Sequence, residues 1–161
     1  NRLDKGTTGL MVVAKSGYVH DLLRRSLHTP RFYREYRGIC MGCPQPLHGT
    51  VDAPIGRNEA SVVARMVRPD GVPAVSEYEV LARGGGMSFL KLVRVHMAYL
   101  GCPLAGDWLY GKEKPELIGR PALHSYALKL IHPVTGERLE LTAPLPADME
   151  RLMKDMKSDH M

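Results

Sequence analysis

The first residues of the chain place one carboxylate between two basic side chains and directly before a glycine-rich turn. The opening reads NRLDKGTTGLMVVAK, in which Asp4 lies between Arg2 and Lys5. Neighbouring cations favour the ionised form of a carboxylate, and an ionised carboxylate on a rigidly supported loop can act as a nucleophile or a general base. An aspartate in a surface ion pair is the commoner outcome of this spacing, so the pattern alone favours that simpler interpretation.

The cysteines are the second group that could carry chemistry. Cys40 and Cys43 have the CxxC spacing of metal-binding and redox sites. The chain has one further cysteine, Cys102, and no second CxxC pair that could complete a zinc site. We therefore predict reduced, structural thiols and no bound metal.

Short apolar stretches separated by turn residues indicate many strands and few helices. The predicted strands are residues 10–15, 34–41, 62–67, 77–82, 87–93, 125–132 and 138–143, and the predicted helices are residues 18–27, 95–100 and 146–157. The turn PVTGE between the last two strands predicts a hairpin. Because strands dominate and do not alternate regularly with helices, we predict an α+β fold with a mostly antiparallel mixed sheet and a few flanking helices.

The bulk composition is that of an ordinary globular domain. The chain has 161 residues, of which 44% are hydrophobic and 24% are charged, which excludes disordered and membrane-embedded classes. No apolar stretch is long enough to span a membrane and no signal peptide opens the chain, so we expect a cytoplasmic protein. The net charge of +5 is consistent with a polyanionic partner.

The opening segment resembles the HRLDxxTSGLLLxAK motif of the RluA-like pseudouridine synthases, a family with ribosomal large-subunit members. Four later segments resemble further motifs of that family, in the same order and over nearly the whole chain. They are REYRGICMG (34–42) with KxYxAxVxG, VDAPIGRN (51–58) with xxxPIGR, RVHMAYLGCPLAGDWLYG (94–111) with RVHLAxLGHPIxGDxLYG, and LHSYALKLIHPVTGERLELTAPLPADM (123–149) with LHAxxLxFxHPxTGxxLxxxAPLPxD. Together these motifs are very specific.

The resemblance implies the fold of a pseudouridine synthase catalytic domain and the isomerisation of specific uridines in structured RNA, without metal or organic cofactor. Asp4 aligns with the catalytic aspartate and Tyr36 with the active-site tyrosine, whose ring can stack on a base flipped out of the RNA. Arg94 aligns with the arginine that pairs with that aspartate. Ribosomal RNA is the expected target, ahead of tRNA, and a monomer is the expected state.

Further side chains are candidates for contacts with RNA. Arg2 can fill the position that the flipped base vacates or bind a phosphate, and Lys5 flanks the same carboxylate. Arg57 is a candidate for the phosphate backbone, although a solvated charged face accounts for it equally well. His96 is a candidate for the substrate, with a structural histidine as the equal alternative.

The chain also departs from the family pattern. Asn1 replaces the usual histidine, and the strand that normally precedes the first motif, with its NKPxG signature, is absent. The basic TGRTHQIR segment that should precede Val95 is reduced to Arg94. We therefore expect residues 1–161 to form a catalytic domain that lacks its N-terminal strand and an internal basic loop.

Two other functions compete with the enzyme. A catalytically silent RNA-binding module of the same fold would be expected to lose at least one of Asp4, Tyr36 and Arg94, whereas all three are present. A glycoside hydrolase needs two carboxylates, and no second acidic residue lies in a comparable motif. The sequence therefore favours an RNA-modifying isomerase.

Overall fold

A computed structural model describes residues 2–27, 29–61, 63–92, 94–112 and 114–158. The strands in these ranges are β1 (Thr8–Gly9), β2 (Phe32–Met41), β3 (His48–Asp52), β4 (Ile55–Arg57), β5 (Arg65–Val67), β6 (Val75–Gly84), β7 (Met87–Lys91), β8 (Leu123–Ile131) and β9 (Arg138–Thr142). The helices are α1 (Gly17–Ser26), α2 (Arg94–Tyr99) and α3 (Ala147–Ser158). Within the described ranges, no helix is long and apolar enough to cross a membrane.

One mixed sheet contains all but two of these strands. Its order is β1-β8-β2-β7-β6-β3, with β9 also paired to β8, while β4 and β5 form a separate two-stranded hairpin. The pairing of β1 with β8 is parallel, and the other described pairings are antiparallel. This arrangement confirms the predicted α+β class with a mostly antiparallel mixed sheet.

The sheet carries an apolar layer on each face, because neighbouring residues of a strand point to opposite sides. Ile39 and Cys40 are consecutive in β2 and both fully buried, yet they belong to different apolar clusters. The cluster around Ile39 includes Met149 and Leu152, so α3 covers that face. The cluster around Cys40 includes Met97, so α2 covers the other face.

The strand predicted over residues 10–15 is wrong in its placement, because β1 ends at Gly9. A Cβ atom added to Gly9 would lie 2.2 Å from the backbone oxygen of Ser125, so only glycine permits this close parallel pairing. The backbone N–H of Leu10 still donates to that oxygen, at 3.0 Å. Beyond it, Leu10 and Val12 pack against a third apolar cluster under α1, which accounts for apolar residues in this stretch without a strand.

The predicted helices agree with the structure within one residue at each end. The hydroxyl of Ser16 caps α1 by accepting from the N–H of Val19, and α3 buries its apolar face. The hairpin of β8 and β9 is also confirmed. The sequence did not predict β3 or β4. Both strands are short and contain a glycine, and they are defined by their pairing with β6 and β5, respectively. Val62 and Val93, predicted as strand residues, lie outside the described residues.

Candidate active site

Asp4 begins a tight turn that leads directly into β1. The N–H of Thr7 donates to the backbone oxygen of Asp4 at 2.9 Å, which closes a four-residue turn. Gly6, the third residue of this turn, has a φ of +83°, a conformation that favours glycine. The turn leaves the side chain of Asp4 68% exposed. The carboxylate is therefore accessible, on a backbone fixed by the turn and by β1.

Arg94, the first residue of α2, joins this carboxylate to a second, buried one. Its Nη1 donates to Oδ2 of Asp4 at 3.1 Å, while Nε and Nη2 donate to the two carboxylate oxygens of Asp107 at 2.8 and 2.7 Å. The side chain of Asp107 is fully buried, and its Oδ1 also accepts the N–H groups of Leu109 and Tyr110. Asp107 thus fixes the guanidinium plane and leaves Nη1 free to donate to Asp4.

The charge of Arg94 is maintained despite its burial. Burial alone would lower the pKa of Arg94, but the hydrogen bonds and charges of Asp107 and Asp4 outweigh burial and raise it. The guanidinium carbon lies 5.0 Å from the ring centroid of Tyr110, a cation–π contact. The hydroxyl of Tyr110 accepts the N–H of Arg65 at 2.9 Å, so this aromatic also links the site to the hairpin of β4 and β5.

A cleft of about 250 Å³ lies beside Asp4 on the face of the sheet where Tyr36 packs against the Cys40 cluster. Its lining residues come from the turn, from β2, from the end of β7 and α2, and from β8: Arg2, Asp4, Thr7, Arg34, Tyr36, Leu92, Arg94 and Leu123. Tyr36 pairs with Ser125 of β8, and β8 pairs in turn with β1. β8 therefore lies between the strand of Tyr36 and β1, which follows the Asp4 turn, yet both residues line the cleft.

The volume and the lining of this cleft are suited to one nucleobase. Pockets for drug-sized ligands begin at about 300 Å³, so this cleft matches something smaller. Leu92, Leu123 and the ring of Tyr36 provide apolar and aromatic surface, while Arg2 and Arg34 add positive charge. A base stacked here would bring its sugar near the exposed carboxylate of Asp4.

His96 does not reach this cleft. The residue is 1% exposed; its Nδ1 lies 2.5 Å from the hydroxyl of Ser76, and its Nε2 lies 2.9 Å from the backbone oxygen of Ala53. Because a carbonyl oxygen only accepts, Nε2 donates and Nδ1 accepts from Ser76. The proposed contact with RNA is therefore corrected: His96 ties α2 to β6 and to the segment after β3.

The other predicted RNA-contacting residues differ in their relation to the cleft. Arg2 lines it, whereas Lys5 is exposed on the turn and Arg57 is exposed on β4. Sequence reasoning did not single out Arg34 or Thr7 as lining residues. The position of Arg34 in β2, two residues before Tyr36 and hence on the same face, is the signal that identifies it.

The thiols have no part in this site. Cys40, Cys43 and Cys102 are free, and Cys40 and Cys102 are buried. Burial, together with the nearby Cys102 and Asp107, raises the pKa of Cys40 far above its ordinary value. A thiol held in its neutral form is a poor nucleophile and a poor metal ligand.

Comparison with known proteins identifies the family of this chain. A family model described as RNA pseudouridylate synthase matches residues 1–141. An uncharacterized RNA pseudouridine synthase from Bacillus subtilis is 43% identical over 162 residues, which cover 95% of this chain and 57% of that protein. Ribosomal large subunit pseudouridine synthase D from Haemophilus influenzae is 37% identical over 183 residues, which cover 100% of this chain and 56% of that protein. The chain spans just over half the length of these curated relatives.

Two solved structures have a fold similar to that of this chain. Human RNA pseudouridylate synthase domain containing 4 superposes with a TM-score of 0.76 over 98% of this chain and 74% of that chain, at 24% identity. Human RNA pseudouridylate synthase domain containing 1 gives a TM-score of 0.75 over 98% of this chain and 79% of that chain, at 23% identity. These similarities confirm the expected fold, and the family model covers most of the sequence. The chain belongs to the RNA pseudouridylate synthase family.

Proposed function

We propose that this chain isomerises specific uridines to pseudouridine in structured RNA, with Asp4 as the catalytic carboxylate. The observation that carries the proposal is the contact of 3.1 Å between Arg94 and Asp4 at a base-sized cleft bordered by Tyr36. A carboxylate that is exposed, oriented by a fixed cation and adjacent to an aromatic surface has the parts that the reaction requires. A silent RNA-binding module would not require this arrangement.

The reaction breaks the bond between N1 of uracil and C1′ of ribose, turns the base, and joins C5 to C1′. The C5 proton then leaves, and N1 takes up a proton, so the product has the same composition as the substrate. The target base first leaves its stack and enters the cleft against Tyr36. Asp4 then either attacks C1′ or removes the C2′ proton to give a glycal, and both routes begin with an ionised carboxylate. Arg94 orients that carboxylate.

We further propose ribosomal RNA as the substrate, ahead of tRNA. The name of the Haemophilus influenzae relative, ribosomal large subunit pseudouridine synthase D, supports this choice. A net charge of +5 favours a polyanion, and exposed basic residues such as Lys5 and Arg57 are suited to phosphate contacts outside the cleft. We propose that the protein acts as a monomer in the cytoplasm, where ribosomal RNA is modified.

We also propose that residues 1–161 are a catalytic domain in which a basic loop before Val95 is missing. The alignment with the Haemophilus influenzae relative extends over 183 positions, more than the 161 residues of this chain, which is consistent with an internal segment without counterpart here. Intact-mass measurement of the natural protein tests this: a mass equal to that of the 161-residue chain contradicts an omitted loop.

Incubation of the purified protein with unmodified ribosomal RNA and with tRNA transcripts tests the activity. We expect pseudouridine at a small number of defined positions in ribosomal RNA, mapped by chemical labelling and sequencing. Modification of tRNA alone would contradict the substrate proposal. Binding of RNA without any pseudouridine would contradict the enzymatic proposal and favour the silent module.

A further inference from the structure

A second arginine, Arg120, contacts the backbone of the turn that carries Asp4. Nη1 of Arg120 donates to the backbone oxygen of Gly6 at 3.1 Å. The same nitrogen lies 3.0 Å from the oxygen of Pro121 and 3.2 Å from that of Leu123, at the start of β8. Arg120 therefore connects the catalytic turn to the strand that supports β1.

Arg120 is itself fixed by a carboxylate. Its Nε and Nη2 each donate to one oxygen of Asp148, both at 2.8 Å, and the two side chains are only 18% and 29% exposed. Asp148 lies in the first turn of α3, next to Met149, which is fully buried in the core. The position of this carboxylate is thus set by the packing of α3 against the sheet.

The turn is also packed closely against its support. A Cβ atom added to Gly6 would lie 3.0 Å from Cδ of Pro121, so the turn rests against the residue that follows Arg120. The hydrogen bond from Arg120 and the close approach of Pro121 therefore both restrain Gly6. The carboxylate of Asp4 is highly exposed, so these backbone contacts determine where it stands relative to Arg94.

We propose that Arg120, held by Asp148, is a positioning residue for Asp4, so that α3 sets the place of the catalytic turn. Two arginine–aspartate pairs then act together: Arg94 with Asp107 orients the carboxylate, and Arg120 with Asp148 holds its backbone. This inference rests on the proposed role of Asp4 in catalysis. A displacement of a reacting group by about 1 Å can lower a rate by about 100-fold, so a backbone anchor of this kind affects turnover.

The test uses Asp148→Asn, which removes the charge and one of two acceptors but leaves the apolar face of α3 intact. Arg120→Lys is a second variant, because one ammonium group cannot reproduce the bidentate pair and the bond to Gly6 together. Glu140→Gln is the matched control, since its pair with Arg138 joins exposed side chains. Pseudouridine formation gives kcat and KM, and hydrogen–deuterium exchange of residues 4–9 reports on the turn.

We expect both test variants to lower kcat by about 10-fold to 100-fold with KM unchanged, and to accelerate exchange in the turn roughly 10-fold. The control should change neither quantity. Wild-type kcat, unchanged exchange in the turn, or acceleration spread evenly over the whole sheet would each overturn the proposal, the last because it indicates only a loss of fold stability. If the wild-type protein forms no pseudouridine, the proposed function fails, while exchange still decides whether the pair holds the turn.

Discussion

Nη1 of Arg94 lies 3.1 Å from Oδ2 of Asp4, although 90 positions separate the two residues in the chain. The contact depends on two independent supports, the turn before β1 and the buried carboxylate of Asp107. A charged hydrogen bond between preorganised groups needs little rearrangement when a substrate enters. The reactivity that we propose for Asp4 therefore depends on residues that do not touch the substrate.

Asp107→Asn should lower both stability and turnover. Arg94 is 8% exposed, and the change leaves its buried guanidinium with a single exposed carboxylate partner. Breaking a buried ion pair of this kind costs about 3 kcal/mol or more, which urea denaturation measures. Glu140→Gln, on an exposed pair, is the control and should leave the free energy of unfolding nearly unchanged. Wild-type stability in the Asp107 variant would contradict the proposed anchoring.

His96→Ala should lower stability without weakening the affinity of the folded protein for RNA. The change leaves the buried hydroxyl of Ser76 and the oxygen of Ala53 without their ring partners and creates a cavity, a loss of about 2 kcal/mol or more. Arg57→Ala should have the opposite effects, because Arg57 is exposed. We expect its stability to be unchanged and its affinity for RNA to be weaker and less dependent on salt. Filter binding measures the RNA affinity of each variant, and urea denaturation measures its stability. Weak RNA binding with normal stability in the His96 variant would contradict a structural role for His96.

Acidification should destabilise the protein through His124. Burial, with a smaller effect of the charge on Arg120, lowers the pKa of His124 below its ordinary value of 6.5, although the hydrogen bond to Ala143 opposes this. The unfolded chain then takes up a proton near pH 6.5 that the folded protein binds only at lower pH. Stability is therefore complete above about pH 6.5 and falls as the pH is lowered toward the folded pKa.

Urea denaturation at about pH 7.5 and about pH 5.5 checks this sign, because histidine is the group that titrates in that range. His124→Gln removes the titration and is the comparison. The wild-type protein should lose more stability on acidification than the variant does. An equal loss in both proteins would show that His124 is not the source.

The sequence was sufficient to predict elements and site residues where an apolar pattern repeats or a motif is long. The apolar spacing of α3 and the turn between β8 and β9 depend on neighbours in the chain, so their prediction succeeded. Resemblance over five motifs brought Asp4, Tyr36 and Arg94 to the same expected cleft, and the structure has all three along one cleft.

The sequence was insufficient where a residue's environment depends on distant contacts. Asp107 pairs with Arg94, 13 positions away, and Asp148 pairs with an arginine 28 positions away. Neither spacing follows the period of a helix or a strand. His96 lies in a helix of six residues, too short for periodicity to separate a buried side from an exposed one. Gly9, the last residue of β1, lies too close to Ser125 for any side chain, a contact that no local pattern indicates.

The most direct measurement is pseudouridine formation in ribosomal RNA by the wild-type protein and by Asp4→Asn, with RNA affinity determined for both. The substitution keeps the size of the side chain and one acceptor oxygen but removes its charge, so it should eliminate turnover without changing the binding of RNA. We predict defined pseudouridine sites with the wild-type protein, no detectable product with the variant, and equal affinities. Substantial product formation by the Asn variant would contradict the assignment of Asp4 as the catalytic carboxylate.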